Sequence, residues 1–210
     1  MLLKYSKYFL WLAYAYFSYL LLLITLQYIP YHTDVAFLRI KQDVIVFNHY
    51  KVAFFTHVYT SIFLMVFGAI QFSKYIQKKY VKLHRVSGRL YVGILLLLSG
   101  PSGLIMSYYA NGGLVAQVSF LLLSSFWMLF TFLSFYFILK RQVIQHQKFA
   151  IRSFALTLSA ISLRLFKYLL VLFFEPFPMD AYRIAAWSGW TFNLLLAEII
   201  IYYKFSRISK

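Results

Sequence analysis

The stretch Lys74–Tyr91, KYIQKKYVKLHRVSGRLY, lies between two long apolar runs and decides how the chain is arranged. It holds six of the 21 Lys and Arg residues in a chain of 210 residues. Lys and Arg accumulate in the cytoplasmic loops of membrane proteins. We therefore predict that this stretch is the main cytoplasmic loop of an integral membrane protein, and that it forms the rim of its best candidate site.

The composition also favours a membrane location. The chain is 62% hydrophobic and 22% aromatic, and its mean hydropathy is +0.72, which is more apolar than a soluble domain of this length requires. The net charge of +16 does not indicate nucleic acid as a partner. The basic residues fall in short segments between apolar runs rather than on one soluble face. The chain has no cysteine, which excludes disulfides, thiolate nucleophiles and haem attached through a CxxCH motif.

Six apolar stretches are long enough to cross the bilayer, since about 20 residues of helix span its ~30 Å hydrocarbon core. Each stretch is predicted to be helical, because a helix satisfies its own backbone hydrogen bonds in lipid. We therefore predict an all-α integral membrane protein with a single transmembrane domain, residues 1–210. Its six-helix bundle comprises the spans Tyr8–Ile29, Val52–Ser73, Leu90–Tyr109, Leu114–Leu139, Phe149–Phe174 and Ile184–Tyr203.

The distribution of Lys and Arg predicts the orientation of these spans. Fifteen of the 21 fall on the side of the N-terminus and four on the opposite side, while Arg164 and Lys167 lie inside the fifth span. The bias of basic residues toward the cytoplasm then places both termini inside. Lys4 and Lys7 precede a long apolar run without an evident cleavage site, so we expect the first helix to remain uncleaved.

Proline and glycine mark three breaks in the helical pattern. Pro101, inside the third span, is expected to kink its outer half. Asn111-Gly112-Gly113 predicts a tight turn between spans three and four, because glycine adopts positive φ without strain. Glu175-Pro-Phe-Pro178 is expected to end the fifth helix. The long segment 30–51 is expected to lie on the outer surface and to carry a short helix.

One group of polar residues is predicted to bind a ligand in the outer half of the bundle. It consists of His57, Gln71 and Arg164, with Lys167 nearby. No acidic residue in spans two to five can neutralise Arg164, so an anionic ligand, a backbone carbonyl or His57 is left as its partner. The alternative is structural: His57 is then a hydrogen-bonded core histidine, and Arg164 extends to the lipid headgroups.

A second group is predicted at the inner rim and comprises His84, Arg85, Arg89, His146, Arg152 and Glu198. Arginine binds carboxylate and phosphate through two parallel hydrogen bonds, so the group suits an anion or a haem propionate. Glu198 is the one carboxylate deep in a predicted span. It lies at a depth in span six similar to that of Arg152 in span five, which favours an ion pair between these neighbouring helices. Arg89 is the rival partner. The alternative is a basic rim that fixes topology, with one structural ion pair.

The same residues form a recognisable series. It runs from His57 and the Gly68-x-x-Gln71 pair to an HRxxGRxY block from His84, an HxxFxxRSFALT block from His146, and Arg164. This series resembles a bacterial family of predicted membrane proteins, domain of unknown function 2306, over about residues 50–170. The resemblance implies a helical core of spans two to five in a bacterial cytoplasmic membrane. It implies no particular activity.

Histidines near both membrane faces are also distantly similar to cytochrome b561 and ferric reductase bundles. That similarity implies one haem b between His84 and His146, with its propionates at Arg85, Arg89 or Arg152. Motifs of soluble enzymes, such as HExxH and GxSxG, are absent. The leading hypothesis is therefore a membrane redox protein that binds haem or quinone at the inner rim. The alternatives are binding or transport of an anionic, membrane-soluble ligand, and a structural or assembly role, so the sequence leaves open whether the protein is an enzyme.

Overall fold

The computed structural model describes the fold of residues 2–206 and the side-chain environments of residues 8–206. Within the described residues the chain is helical and contains no β-strand. The α-helices, in chain order, are α1 (Leu2–Leu26), α2 (Gln42–Ile45), α3 (Asn48–Phe72), α4 (Lys74–Lys79), α5 (Val81–Ile94), α6 (Gly100–Tyr108), α7 (Leu114–Leu139), α8 (Val143–Thr157), α9 (Ser159–Phe174) and α10 (Pro178–Phe205). A 3₁₀ turn (Ala36–Ile40) precedes α2, and a π-helical turn (Leu95–Ser99) joins α5 to α6.

Five helical segments are long and apolar enough to cross a membrane: Tyr8–Leu26, Asn48–Phe72, Val81–Tyr108, Leu114–Leu139 and Pro178–Phe205. The predicted run Phe149–Phe174 belongs instead to two helices, α8 and α9, which meet at an angle of 42°. This pair counts as a sixth span if it crosses as one unit.

Side-chain hydrogen bonds explain the bend between α8 and α9. Asn193 Nδ2 donates to the carbonyl oxygen of Ala155 at 3.1 Å, and Ser159 Oγ donates to that of Leu156 at 2.5 Å. Ser162 Oγ in turn donates to Asn193 Oδ1 at 2.8 Å. Carbonyls in the last turn of α8 are thus satisfied by side chains, which allows the helix to change direction without leaving them unpaired.

The stretch Lys74–Tyr91 is not a loop, which corrects the prediction made from its charge. It folds as α4 and the first three turns of α5, and only Tyr80 separates them. Lys and Arg are good helix formers, and their long side chains can carry their charges away from an apolar surface. The third membrane-crossing segment consequently begins at Val81, nine residues before the predicted boundary at Leu90.

The predicted breaks occur where glycine and proline indicated them. Gly112 and Gly113 adopt φ values of 89° and 69° between α6 and α7. The helix α9 ends at Phe174, where Glu175 takes a left-handed φ of 44°, and Pro178 begins α10. Pro101 lies two residues after the end of the π-helical turn, so the irregularity in the third span precedes the proline rather than lying beyond it.

Two buried clusters hold the bundle together. The first packs the connection between α1 and α3 onto the start of α3 and contains Tyr28, Leu38, Tyr50 and Phe54. The second lies in the middle of the bundle, where Leu64, Tyr91, Leu95, Trp127, Leu156 and Trp190 meet. We call the end of the bundle that holds residues 27–47 the long-loop end, and the end that holds α4 and residues 140–142 the basic end.

Candidate functional site

A cavity of about 520 Å³ opens between α1, α3, α6, α7 and α9, toward the long-loop end. This volume falls within the ~300–1,000 Å³ typical of small-molecule sites. Aliphatic and aromatic side chains dominate the walls, among them Leu21, Ile24, Phe54, Val58 and Trp127. A second feature, an apolar groove of about 710 Å³, lies between α9 and α10 and is lined almost entirely by aliphatic and phenylalanine side chains. The cavity is the candidate site because it adds polar and charged groups to apolar walls.

Three basic side chains line the cavity, and none of its lining residues is acidic. They are Lys41, Arg164 and Lys167. Lys41 is a buried residue of the long loop, and its ammonium group donates to the carbonyl oxygen of Tyr109. Desolvation by burial lowers the pKa of Lys41, and the nearby carboxylate of Asp43 offsets part of that shift. The electrostatic field inside the cavity therefore favours an anion.

Arg164 is the deepest of these cations. It lies ten residues before the end of α9, which corresponds to about 15 Å along the helix axis. Its Nη1 donates to the carbonyl oxygen of Ala160 at 2.6 Å, within its own helix. Guanidinium carries five N–H donors, and its other donors make no hydrogen bond to any residue whose side-chain environment is described. Those donors are available to a ligand.

His57 projects from α3 into the same cavity. Its Nδ1 lies 2.9 Å from the carbonyl oxygen of Ser99, the last residue of the π-helical turn. A carbonyl oxygen can only accept, so Nδ1 carries the proton in this hydrogen bond. The imidazole is therefore anchored to the third membrane-crossing segment through one ring nitrogen.

A buried hydroxyl network closes the inner end of the cavity. Trp127 Nε1 donates to Thr157 Oγ1 at 3.0 Å, and the same oxygen lies 2.6 Å from Tyr91 Oη. Tyr91 Oη is 3.0 Å from Ser153 Oγ, which is 2.6 Å from Thr131 Oγ1. Three helices are joined by these bonds deep in the bundle, where every hydroxyl has a partner.

The sequence analysis did not predict that Tyr91, Trp127 and the hydroxyl groups of α7 form a network at the end of the cavity. Trp127, Thr131 and Ser134 are spaced by four and three residues. This spacing places them on one face of α7 and could have predicted that this face points into the bundle. Each of these three side chains is indeed buried. An aromatic residue and two hydroxyl residues on an otherwise apolar helix do not by themselves indicate which neighbours they meet.

Gln71 does not belong with His57 and Arg164, which corrects the predicted outer group. It lies 14 residues after His57 on α3, or about 21 Å along the axis, and so reaches the basic end. There its Nε2 donates to the carbonyl oxygen of His84 at 2.9 Å and to Ser87 Oγ at 2.7 Å. Gln71 therefore ties α3 to the start of α5 and does not line the cavity.

The inner group is partly assembled at the basic end. Arg152 and Glu198 form the predicted ion pair, with Nε and Nη2 donating to the two carboxylate oxygens at 2.6 and 2.8 Å. The Arg152 guanidinium also lies 4.9 Å from the ring centre of Phe149. Arg85 and Arg89 are exposed and have no ion-pair partner among the side chains that the structure describes.

The two inner-rim histidines have different surroundings. His146 Nδ1 lies 2.9 Å from the carbonyl oxygen of Ser134 and 3.0 Å from its hydroxyl. His84 Nδ1 is buried and has no hydrogen-bond partner within the part of the chain that the structure describes. Neither residue lines the cavity or the apolar groove. No group of three or more His, Asp or Glu side chains with metal-binding geometry occurs within the described part of the chain.

Comparison with known proteins gives one finding. The family described as predicted membrane protein, DUF2306, matches residues 54–201, from α3 into α10. The matched region extends beyond the core expected at residues 50–170 and includes Glu198. No curated protein and no solved structure matches the chain.

Proposed function

We propose that this chain, which belongs to the DUF2306 family of predicted membrane proteins, binds an anionic amphiphile within the membrane. The ligand's acidic group pairs with Arg164 and Lys167, and its apolar tail packs along Leu21, Ile24 and Val58. The single observation that carries this proposal is Arg164, whose guanidinium lines an apolar cavity without an acidic partner.

The Arg164 side chain is exposed at a mostly apolar cavity and has no acidic partner among the residues that line it. Charged groups inside a membrane are expensive, and they normally face a partner or water. Arg164 satisfies one donor with its own backbone, which leaves the net charge unneutralised. A carboxylate or phosphate supplies both the opposite charge and a bidentate acceptor. Lys167, one helical turn away and 5.9 Å from the ring centre of Tyr182, adds a second cation nearer the long-loop end.

The proposal includes a membrane arrangement. We place the protein in a bacterial cytoplasmic membrane as one domain of six spans, residues 1–210, with spans two to five (residues 50–170) as the functional core. The bent pair α8 and α9 acts as one span, and both termini lie in the cytoplasm. The support is charge: α4, α5 and residues 140–152 concentrate Lys and Arg at the basic end, whereas the long-loop end carries few. The cavity then opens toward the external leaflet.

A binding titration tests the ligand proposal. The purified protein in detergent is titrated with 11-(dansylamino)undecanoic acid, whose fluorescence rises in apolar surroundings. The Arg164→Gln variant is expected to bind roughly ten- to a hundredfold more weakly, the effect of losing one charge-assisted hydrogen bond of about 1.5–3 kcal/mol. Arg39→Gln is the matched control, because Arg39 is exposed and lies outside the cavity. Equal affinity in wild type and Arg164→Gln would remove Arg164 as the anion site, and an absence of binding would favour a structural role.

A redox function with haem b or quinone at the basic end is the second candidate. Its specific support is the buried, unpartnered Nδ1 of His84, together with a His146 ring oriented by the Ser134 carbonyl, as metal-ligating histidines commonly are. In that case His84 and His146 are the axial ligands, and Arg85 and Arg89 pair with the propionates, while Arg152 is already paired with Glu198. Haem would supply a one-electron couple. A Soret band lost in both His84→Ala and His146→Ala is the expected signature of haem, and a colourless protein after haem supplementation rules out haem at this site.

A further inference from the structure

We infer that the cavity selects acidic amphiphiles that also carry a hydroxyl group, because His57 presents a free hydrogen-bond acceptor to the cavity that the Arg164 cation also lines. This inference rests on the proposed function and specifies its ligand. Arg164 recognises the acid, and His57 recognises the hydroxyl. The two residues come from different helices, α3 and α9, so neither alone defines the specificity.

The protonation pattern of His57 follows from its anchor. Nδ1 donates to the Ser99 carbonyl oxygen at 2.9 Å. In a neutral imidazole the second nitrogen, Nε2, then carries a lone pair and acts only as an acceptor. Nε2 makes no hydrogen bond to any group that the structure describes, and the atom keeps some accessible surface. It is therefore open to the cavity that His57 lines.

The anchor itself is built to hold this orientation. Ser99 ends the π-helical turn, an irregularity that in membrane and soluble helices is often associated with function. The Ser99 carbonyl also accepts from Ser102 Oγ at 3.1 Å, and the Ser99 hydroxyl pairs with Thr60 Oγ1 at 2.7 Å. Gly103, four residues after Ser99, lies at the same edge of the ring: a Cβ there would be 3.3 Å from His57 Cε1 and 3.4 Å from Nδ1. The imidazole of α3 is thus held by the π-helical turn, and the absence of a side chain at Gly103 leaves room for the anchored edge of the ring.

A histidine that served only the core would have both ring nitrogens occluded or paired. His57 has one nitrogen committed and one open to the cavity. Arg164 and His57 line the same cavity of about 520 Å³, so one ligand bound there can meet both side chains. A simple carboxylate satisfies Arg164 but offers no donor to Nε2. A ligand hydroxyl donates to Nε2 and can accept from the Ser124 hydroxyl, which also lines the cavity.

Two fatty acids that differ by one hydroxyl test the inference. Myristate and 3-hydroxymyristate are each used to displace 11-(dansylamino)undecanoic acid from the wild-type protein. One additional hydrogen bond of about 0.5–1.5 kcal/mol corresponds to a preference of up to about tenfold for the hydroxylated acid. In His57→Leu the ratio of the two affinities is expected to fall to about one. His57→Gln keeps an acceptor at this position and is expected to retain part of the preference, which keeps the test open if His57→Leu does not fold.

The outcomes separate the two proposals. If both acids compete equally in the wild type, the hydroxyl inference is overturned while anion binding stands. A preference that persists unchanged in His57→Leu overturns the role of His57. If neither acid competes and the probe itself does not bind, the proposed function fails and the inference falls with it.

Discussion

Arg152 and Glu198 form an ion pair whose strength depends on its partial exposure. The guanidinium and carboxylate meet in a two-bond geometry at 2.6 and 2.8 Å, while the exposed fractions of the side chains are 19% for Arg152 and 46% for Glu198. Breaking a buried pair costs about 3–5 kcal/mol, and an exposed pair contributes at most ~1 kcal/mol. Glu198 is nearly half exposed, so the cost of breaking this pair lies closer to the value for an exposed pair than to the value for a buried one.

A double-mutant cycle on thermal stability in detergent tests the coupling. We expect Arg152→Gln and Glu198→Gln each to lower stability by about 1–2 kcal/mol, and the double variant to lose clearly less than the sum. Arg152→Gln is expected to cost more of the two, because it also removes the contact with the Phe149 ring. Glu175→Gln serves as the control, since Glu175 is exposed and has no ion-pair partner in the described region. Additive losses would contradict the coupling and free Arg152 for the inner-rim ligand.

At the level of helices, α9 and α10 approach each other closely at Gly189. A Cβ at this position would lie 2.9 Å from the Cα of Leu163 and 3.0 Å from its backbone nitrogen. Backbone atoms cannot turn aside as a flexible side chain can, so the helices must separate to accommodate a methyl group. Small residues at helix contacts are a general device in membrane proteins, where van der Waals contact replaces the hydrophobic driving force.

Gly189→Ala is therefore expected to destabilise the protein by about 1–3 kcal/mol, the usual cost of overpacking. The matched control is Gly93→Ala in α5, where a Cβ would meet nothing within 4 Å. There alanine is expected to stabilise by about 0.5–1 kcal/mol, because it has the higher helix propensity. The measurement is the midpoint of thermal unfolding in the same detergent. Similar midpoints for the two variants would show that α9 and α10 are not in tight contact.

The helices illustrate what local sequence can and cannot predict. Long apolar runs and the Gly112-Gly113 and Glu175–Pro178 breaks were read correctly, because hydrophobicity and φ preference act within a few residues. The bend at Leu158 was missed, since it depends on Asn193, 35 residues away in sequence. The predicted start of the third span is nine residues too late, because basic residues can extend a helix beyond the apolar core and their charge does not by itself indicate a loop.

The candidate site belongs to the whole molecule. Sequence indicated His57 and Arg164, because polar residues inside apolar runs are conspicuous, and both line the cavity. It could not place Lys41 or Tyr182 beside them, since these come from the long loop and from α10. A cavity arises where helices do not fill the space between them, and its shape is a property of packing that no single stretch of residues encodes.

The membrane arrangement can be tested on a chain that lacks cysteine. Single cysteines at exposed positions are labelled in intact cells with a membrane-impermeant maleimide, and total reactivity is measured after permeabilisation. Lys79→Cys and Gln142→Cys report on the basic end, and Asp34→Cys and Phe177→Cys report on the long-loop end. We expect the latter two to be labelled from outside and the former two to be protected, because the basic end carries the excess of Lys and Arg.

The pair Gln142 and Phe177 carries the most information, because these residues flank α8 and α9. If the bent pair crosses the membrane as one span, the two cysteines are accessible from opposite sides, and the chain has six spans. If α8 and α9 instead form a re-entrant structure, both cysteines react from the same side and only five spans remain. The proposed site depends on this result: Arg164 and Lys167 share a leaflet with His57 only when α9 runs toward the long-loop end. External labelling of Gln142→Cys would therefore overturn both the six-span arrangement and the assignment of the cavity to the external leaflet.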